Sequence, residues 1–463
     1  MKILLTAHQF LPSYTSGTEV LTFEVARELI RLGHQVRILT GWPNDDDAAP
    51  SSAYDEFEYE GIRIHRVHPP GVADTTVAER TRAEFDNPMT AAAFTALTAK
   101  WRPDIVHFFH LQRLSSSIPM RCVQAAIATV YTATDFWAIC PLNQLRLPDG
   151  RTCEGPDRDS ANCVLHLAVQ GRRVHLAPLY RWVPLRLVGA VLRIAPAEEN
   201  GASKNIGAAR ALQHRPDVMR RMLKSIDRVI APTQYMAQRL REFGTPEESI
   251  SELHYGIDTT IYSNVRPLLA GPRLRIGFIG TLSEHKGPHV LLEAMKLVPS
   301  DMPCEVSLYG DETFYPDYVT QLKLLCEGDE RIAFRGSFVR DELPRVIADL
   351  DVLIIPSTWS ENTPLVILAA QSAARPVVGS NVAGISEIVT DGQNGRLFEA
   401  GDAAALAAIL RELVGQPEQL RAMAERARPS KDISMYTAEL VAIYEEVLAA
   451  RARQHLLLQK IFA

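Results

Sequence analysis

Short apolar segments that alternate with amphipathic helical stretches recur in two series along this chain, and that alternation constrains the fold more tightly than any other feature. In the first series, residues 2–7 read as a strand, 9–17 as a loop holding Pro12, Ser13, Ser16 and Gly17, and 18–32 as a helix. Val20, Phe23, Val25, Ala26, Leu29 and Ile30 give that helix its apolar face at helical spacing. Gly33 stops it, and 36–40 form the next strand. Further short strands are expected at 104–107, 128–132 and 228–231. A second series begins after Pro272, with a strand at 275–280 and a helix at 288–297 opened by a proline in its first turn. Strands at 304–309, 352–355 and 376–379 follow. Strands alternating with helices form a parallel sheet covered on both faces. The expected fold class is therefore α/β, with two facing doubly wound, Rossmann-like domains and ligands held at the carboxyl ends of the strands.

The 463 residues exceed one ordinary core, in keeping with two domains. The first is expected over 1–265 and the second over 272–430, with 264–272 as the linker. Residues 142–224 fit neither series; they carry much Arg, Pro, Leu and Val and read as an insertion of loops and helices in the first domain. A hydrophobic content of 46% with 22% charged residues describes a globular protein, not a disordered one. The net charge of -6 excludes a whole-protein attraction to nucleic acid or to an anionic membrane. Residues 1–7 are apolar but soon meet His8 and Gln9, which reads as a buried first strand, not a signal peptide. With no apolar run near the roughly 20 residues of a spanning helix, the cytoplasm is the expected location. Six scattered cysteines make no disulfide framework.

The second half carries the clearest chemistry. Gly277-Phe278-Ile279-Gly280-Thr281-Leu282-Ser283-Glu284-His285-Lys286-Gly287 is a strand, a glycine turn and a loop feeding a helix. Such a loop aims backbone N–H groups at an anion, and Lys286 adds a full charge. It matches neither the P-loop nor the dinucleotide fingerprint. Pro356-Ser357-Thr358-Trp359-Ser360-Glu361-Asn362-Thr363-Pro364-Leu365 likewise follows a buried strand and opens an apolar helix. A carboxylate there can accept sugar hydroxyls while the free N–H groups hold phosphate. Taken singly, Lys286 reads as a solvated loop lysine and Glu361 as a helix cap; it is their joint context that points to a site.

Together these segments resemble glycosyltransferase family 4, whose members have the GT-B fold. The resemblance covers 1–20 and 225–450 and includes Gly256-Ile257-Asp258, Val382-Ala383-Gly384-Ile385-Ser386-Glu387 and Asp391-Gly392-Gln393-Asn394-Gly395. It implies that Lys286 binds the donor diphosphate, that Glu361 contacts the sugar, and that Thr281, Asn362, Thr363, Pro364 and Leu365 line the donor site. From the other domain, the turn at Gly17 is expected to approach the donor. The last helix, within 432–463, is expected to cross back to the first domain. Two departures stand out: the family usually has arginine at the position of Thr281 and a second glutamate at that of Ala369. Losing one charge-assisted contact typically costs about 1.5–3 kcal/mol.

On the acceptor side, Pro103-Asp104-Ile105-Val106-His107-Phe108-Phe109-His110 puts two histidines at the end of a strand. Relatives often have His-x-His here, with a histidine facing the sugar, but Phe109 holds the second histidine's position and His110 lies one step beyond. His110 is expected near the reaction centre, with His107 as the alternative, and a core histidine is the structural reading. Asp135 follows as a residue that orients an acceptor hydroxyl, acts as a weak base or serves a turn. Cys140, Cys153, Cys163 and His166 form Cys-x12-Cys-x9-Cys-x2-His, a set suited to closed, structural zinc; free buried thiols are the alternative. The locally basic stretch 172–228, with Leu176, Leu179, Tyr180 and Trp182, suits either a peripheral contact with the inner face of the membrane or a flap on the first domain.

The resemblance implies a retaining hexosyltransferase that uses a UDP- or GDP-type nucleotide sugar. Its acceptor would be a glycan or a lipid-linked molecule in cell-surface polysaccharide or glycoconjugate biosynthesis. No cofactor is required for that catalysis, and no nucleic acid partner is expected. The rival is a catalytically degenerate partner subunit that binds sugar nucleotide or glycan, suggested by Thr281, Ala369 and Thr134, the last standing where many relatives have histidine before the aspartate at Asp135. A GT-B phosphorylase would need a pyridoxal phosphate lysine that this sequence does not identify.

Overall fold

The computed structural model describes residues 1–41, 54–67, 77–169, 182–194, 203–262, 268, 272–427 and 431–462. The chain divides into two compact units, Met1–Leu253 with Thr437–Ala463, and His254–Tyr436. The first boundary falls ahead of the position 265 expected from sequence, because the strand-poor segment after Leu253 groups with the second unit. Most of the expected linker lies outside the described residues.

The first unit begins with β1 (Lys2–Ala7), α1 (Gly17–Arg31), β2 (Gln35–Gly41), β3 (Tyr54–Tyr59) and β4 (Ile62–Val67). It continues through α2 (Val77–Ala83), α3 (Pro88–Lys100), β5 (Ile105–Phe108), α4 (Ser117–Gln124) and β6 (Ala128–Thr132). Helices α5 (Ala161–Val169), α6 (Leu185–Ile194) and α7 (Ser203–Ser225) follow, then β7 (Arg228–Ala231), α8 (Gln234–Phe243) and β8 (Ile250–Glu252). The eight strands form one sheet in the order β3-β4-β2-β1-β5-β6-β7-β8. Only β3 runs antiparallel to its neighbour. The sheet's central strands are buried apart from Lys2 at the start of β1, as expected of strands covered by helices on both faces. In the expected insertion, residues 142–160 are loops and turns with an isolated bridge between Arg146 and Thr152, and helices α5, α6 and α7 follow; residues 170–181 and 195–202 within it lie outside the described residues.

The second unit comprises β9 (Leu274–Ile279), α9 (Pro288–Lys296), β10 (Cys304–Tyr309), α10 (Pro316–Leu325), β11 (Ile332–Gly336) and α11 (Leu343–Ala348). After these come β12 (Val352–Ile355), α12 (Leu365–Ser372), β13 (Val377–Ser380), β14 (Gly395–Phe398), α13 (Ala403–Gly415) and α14 (Pro417–Arg426). Its six strands are parallel, in the order β11-β10-β9-β12-β13-β14. Numbered from its first strand, this is the doubly wound order 3-2-1-4-5-6, which reverses between β9 and β12. A buried ion pair pins that reversal. Arg275 of β9 donates from Nε and Nη2 to both carboxylate oxygens of Asp351, at 3.0 and 2.6 Å, just ahead of β12. The core on one face joins Ile276, Val306, Leu308, Val352 and Ile354 to Leu291, Met295, Leu406 and Leu410 of the covering helices.

The final helix, α15 (Ile433–Phe462), starts in the second unit and belongs to the first from Thr437 onward. Inside the first unit it is fixed by polar contacts: Tyr444 hydroxyl to His107 Nδ1 at 2.5 Å, and Arg451 Nε to Asp227 Oδ1 at 2.8 Å.

Candidate active site

In the second unit, the loops that leave β9, β12 and β13 come together at the strand-order reversal. Gly287 closes the loop after β9 in the left-handed region, φ 71°, and its missing side chain matters. A Cβ there would stand 1.9 Å from the carbonyl oxygen of Pro356, so only glycine lets the two loops touch. A backbone bond from Thr358 N–H to the carbonyl of His285, at 2.9 Å, ties them further. Gly384, in the loop after β13, plays the same part with φ 80°; its Cβ would meet the Glu361 carbonyl oxygen at 2.1 Å.

This packing brings Lys286 to Glu361 across 75 residues of sequence. Lys286 Nζ donates to both oxygens of the carboxylate, at 2.8 and 2.9 Å. Glu361 is only 4% exposed, and its Oε1 also accepts from Ser357 Oγ at 2.7 Å and Trp359 Nε1 at 2.9 Å. Burial alone would push this carboxyl up, but the Lys286 charge, with hydrogen bonds from Lys286 and Ser357, outweighs it and holds Glu361 below its ordinary range. The Trp359 ring lies 5.2 Å from Lys286 Nζ and meets the His285 ring edge-on at 5.1 Å. Asn362 and Thr363 are buried, and the Thr363 hydroxyl has no hydrogen-bond partner among the described residues. Pro364 stands at the N-cap of α12 with no side-chain cap, so the amides that begin at Leu365 remain available to an anion. Thr281 is exposed. Ala369 is buried against Tyr262, Ile347 and Ala373, well within the core. Ser357 and Trp359 carry no signal of a role in the sequence; their shared acceptor is visible only in three dimensions.

In the first unit the corresponding loops follow β1, β5 and β6. Ser16, the N-cap of α1, makes no side-chain cap bond, and Gly17 beside it is exposed. His110 and Asp135 are brought together, with His110 Nε2 2.8 Å from Asp135 Oδ2. The Gln112 N–H donates to His110 Nδ1 at 3.0 Å, so Nε2 is the protonated nitrogen and donates to Asp135. Asp135 Oδ1 accepts the Trp137 N–H at 2.8 Å. Both nitrogens of His110 are thus engaged, and the ring is 2% exposed. It stands behind Asp135, whose side chain is the more exposed of the two.

The other histidine of that strand lies elsewhere. His107 is fully buried between Thr132 Oγ1, at 2.7 Å, and the Tyr444 hydroxyl. Burial pushes its pKa down to about 3. It is a core histidine, not an acceptor-side group, because β5 is covered on the face to which alternation turns it.

The sequence marks Glu19 only as the last residue of the Ser16-Gly17-Thr18-Glu19 turn, and gives His8 no role. The His8 ring packs on His110 at 4.3 Å between centroids, and His8 Nε2 lies 3.5 Å from Glu19 Oε1. Burial pushes His8 well below its usual value, with the neighbouring His110 and Arg113 adding to the effect. Glu19 is fully buried and has no hydrogen bond of ordinary geometry among the described residues. Burial raises it to about 7, against smaller opposing effects of its own N–H, His110, Gln9 and Arg113. Its sequence signal is its place in that glycine-rich turn, at the first turn of α1.

Of the four expected metal ligands, Cys140, Cys153 and Cys163 are near enough to act on one another electrostatically, and His166 does not join them. Among the described residues, no group of three or more His, Cys, Asp and Glu side chains stands close enough to hold a metal ion. Cys140, Cys153 and Cys163 are free thiols. The buried Arg215 guanidinium lies beside Cys140 and Cys163 and donates to the carbonyls of Trp137 and Ile139, a fixed cation where zinc would bring another. His166 instead meets Arg146 and Asp149, and burial followed by the Arg146 charge lowers it to about 4.

Two Rossmann-like sheets joined by a returning final helix, with a lysine–glutamate pair at the strand-order reversal of the second, define the GT-B class. Three family models match: "Glycosyl transferase 4-like domain" at 16–166, "Glycosyltransferase Family 4" at 204–261 and "Glycosyl transferases group 1" at 273–416. The chain belongs to glycosyltransferase family 4. It is 30% identical over 212 residues to the amylovoran biosynthesis glycosyltransferase AmsK of Erwinia amylovora, covering 43% of this chain and 50% of that one. It is 33% identical over 159 residues to the D-inositol 3-phosphate glycosyltransferase of Corynebacterium urealyticum, covering 33% of this chain and 37% of that one. The chain thus spans half or less of the length of these relatives. Anabaena HepE, solved with UDP and glucose, has the same fold: TM-score 0.64, 17% identity, 96% of this chain and 99% of that one covered.

Proposed function

We propose that this chain is a retaining glycosyltransferase that moves a hexose from a UDP- or GDP-type nucleotide sugar to a glycan or lipid-linked acceptor. The setting is cell-surface polysaccharide or glycoconjugate biosynthesis. The observation that carries this reading is the Lys286–Glu361 pair at the carboxyl ends of β9 and β12, where doubly wound sheets bind their ligands. Lys286 and the uncapped start of α12 stabilise the leaving diphosphate, which is electrostatic preorganisation more than acid–base work. Glu361 accepts hydroxyls of the transferred sugar. The donor phosphate itself takes the acceptor proton, so no carboxylate pair at a glycosidase spacing is needed. In the first unit, Asp135 is the acceptor-side group and His110 fixes its orientation. The role of AmsK in amylovoran biosynthesis and the UDP and glucose bound to HepE support the substrate classes.

A lipid-linked acceptor suits the exposed face near α6, where Trp182, Leu187 and Val191 are 78%, 64% and 59% exposed beside the exposed Arg186. No helix among the described residues is long and apolar enough to cross a membrane, so such contact would be peripheral. Binding to anionic liposomes at low salt and its loss at high salt is the expected result; no binding at low salt would remove this part of the reading.

The central test is a panel of nucleotide sugars and acceptors, scored for nucleotide release and glycan product. Wild-type turnover is expected, with at least a ~100-fold loss in K286A at unchanged folding. Binding without turnover across the panel would instead favour the partner-subunit reading. Two observations point that way: exposed Thr281 adds no second cation, and core-packed Ala369 no second carboxylate.

A further inference from the structure

Glu361 is held by more donors than a capping or sugar-binding carboxylate requires. Three of them converge on Oε1: Lys286 Nζ, Ser357 Oγ and Trp359 Nε1; Oε2 takes only Lys286. Under the donor-site reading given above, on which this inference rests, Lys286 cannot stay there. A diphosphate offers it more negative charge than one carboxylate, so donor binding draws the ammonium away. Glu361 then becomes a buried carboxylate without its counter-ion, the situation that drives protonation. A protonated Glu361 would have lost acceptor capacity toward the sugar.

The two remaining donors are not equivalent. A serine hydroxyl can rotate and accept a proton from a neutral carboxyl, so it tolerates either state. An indole N–H can only donate, so it favours the ionised carboxylate and fixes which oxygen faces it. Trp359 is half-buried, and its ring also contacts Lys286 and His285, the other charged or titratable groups on this side of Glu361.

We propose that Trp359 is the positioning residue that keeps Glu361 ionised, with Oε2 turned to the ligand, after Lys286 transfers to the donor diphosphate. Ser357 assists it. Trp359 therefore acts through Glu361 and does not itself need to touch the sugar.

The test uses the full chain, UDP and GDP as probes, and titration calorimetry in two buffers of different ionisation enthalpy, which reports protons taken up on binding. W359F keeps an aromatic ring near Lys286 and removes the N–H. In the variant, the pH below which nucleotide binding takes up a proton should rise by about one unit, with affinity at pH 8 within about threefold of wild type. In E361Q that uptake should vanish. If turnover is found, the acid limb of kcat should move up by the same amount in W359F while KM hardly changes. W359L, which loses the ring as well, should show the same proton uptake and checks the result should W359F fold poorly. Equal proton uptake in wild type and both Trp359 variants would overturn the proposal, as would an affinity loss of the same size at every pH. Failure of wild type to bind either nucleotide would instead sink the donor-site reading itself.

Discussion

The buried Glu19 offers the sharpest physical test, because its environment sets both a sign and a size. An ordinary glutamate, near 4.5 when unfolded, titrates here at about 7, chiefly through burial. Between those two values the native state holds a proton that the unfolded chain has lost. Native stability therefore falls as pH rises through that window and stays reduced above it. At about 1.4 kcal/mol per pH unit, the gap amounts to about 3 kcal/mol for the isolated group. E19Q keeps the shape and removes the titration. Relative to its parent, the variant should gain little at pH 4.5 and up to about 3 kcal/mol at pH 8, with the difference opening between those limits. Urea unfolding followed by tryptophan fluorescence measures this in a W359F background. The remaining tryptophans, Trp42, Trp101, Trp137 and Trp182, then all belong to the first unit. Parallel stability–pH curves for E19Q and its parent, or an E19Q that is less stable at pH 8, would refute the account.

Three further outcomes follow from the packing. G384A must move the backbone, because the residue has φ 80° and the new Cβ would lie 2.1 Å from the Glu361 carbonyl oxygen; nucleotide affinity should drop at least ~10-fold by calorimetry, and an unchanged affinity would mean that this loop does not shape the site. D351A leaves the Arg275 guanidinium buried without its carboxylate, which should cost about 3–5 kcal/mol in urea unfolding of the second unit. Y444F strips His107 Nδ1 of its partner inside the first unit, so a loss of about 1–3 kcal/mol is expected; a change below about 0.5 kcal/mol would argue against that bond.

The strands that were legible in the sequence and those that were not separate along a physical line. All nine expected strands exist, and they occupy interior positions of the two sheets. The sheet edges β3, β8, β11 and β14 were not anticipated, nor was β4 beside β3. An interior parallel strand is buried on both faces and reads as an unbroken apolar run. Edge strands carry polar residues or are very short, as in Tyr54-Asp55-Glu56-Phe57-Glu58-Tyr59 and Ile250-Ser251-Glu252, and their signal fades into that of loops.

The candidate site divides in the same way. The order of strands, glycine turns and helices in the sequence determined the doubly wound fold, and with it the loops from which Lys286, Glu361 and Gly17 would project. Spacing alone did not distinguish a histidine in the core from one behind the site: His107 and His110 sit three residues apart, yet one is sealed between Thr132 and Tyr444 and the other backs Asp135. Nor could the cysteine spacing anticipate that Arg215, more than fifty residues on, would stand beside two of the thiols. Which groups share a carboxylate, lose their water or meet an opposite charge depends on contacts between distant segments. Local pattern sets where a side chain leaves the backbone; tertiary packing alone decided that Ser357, Trp359 and Lys286 would all close on Glu361.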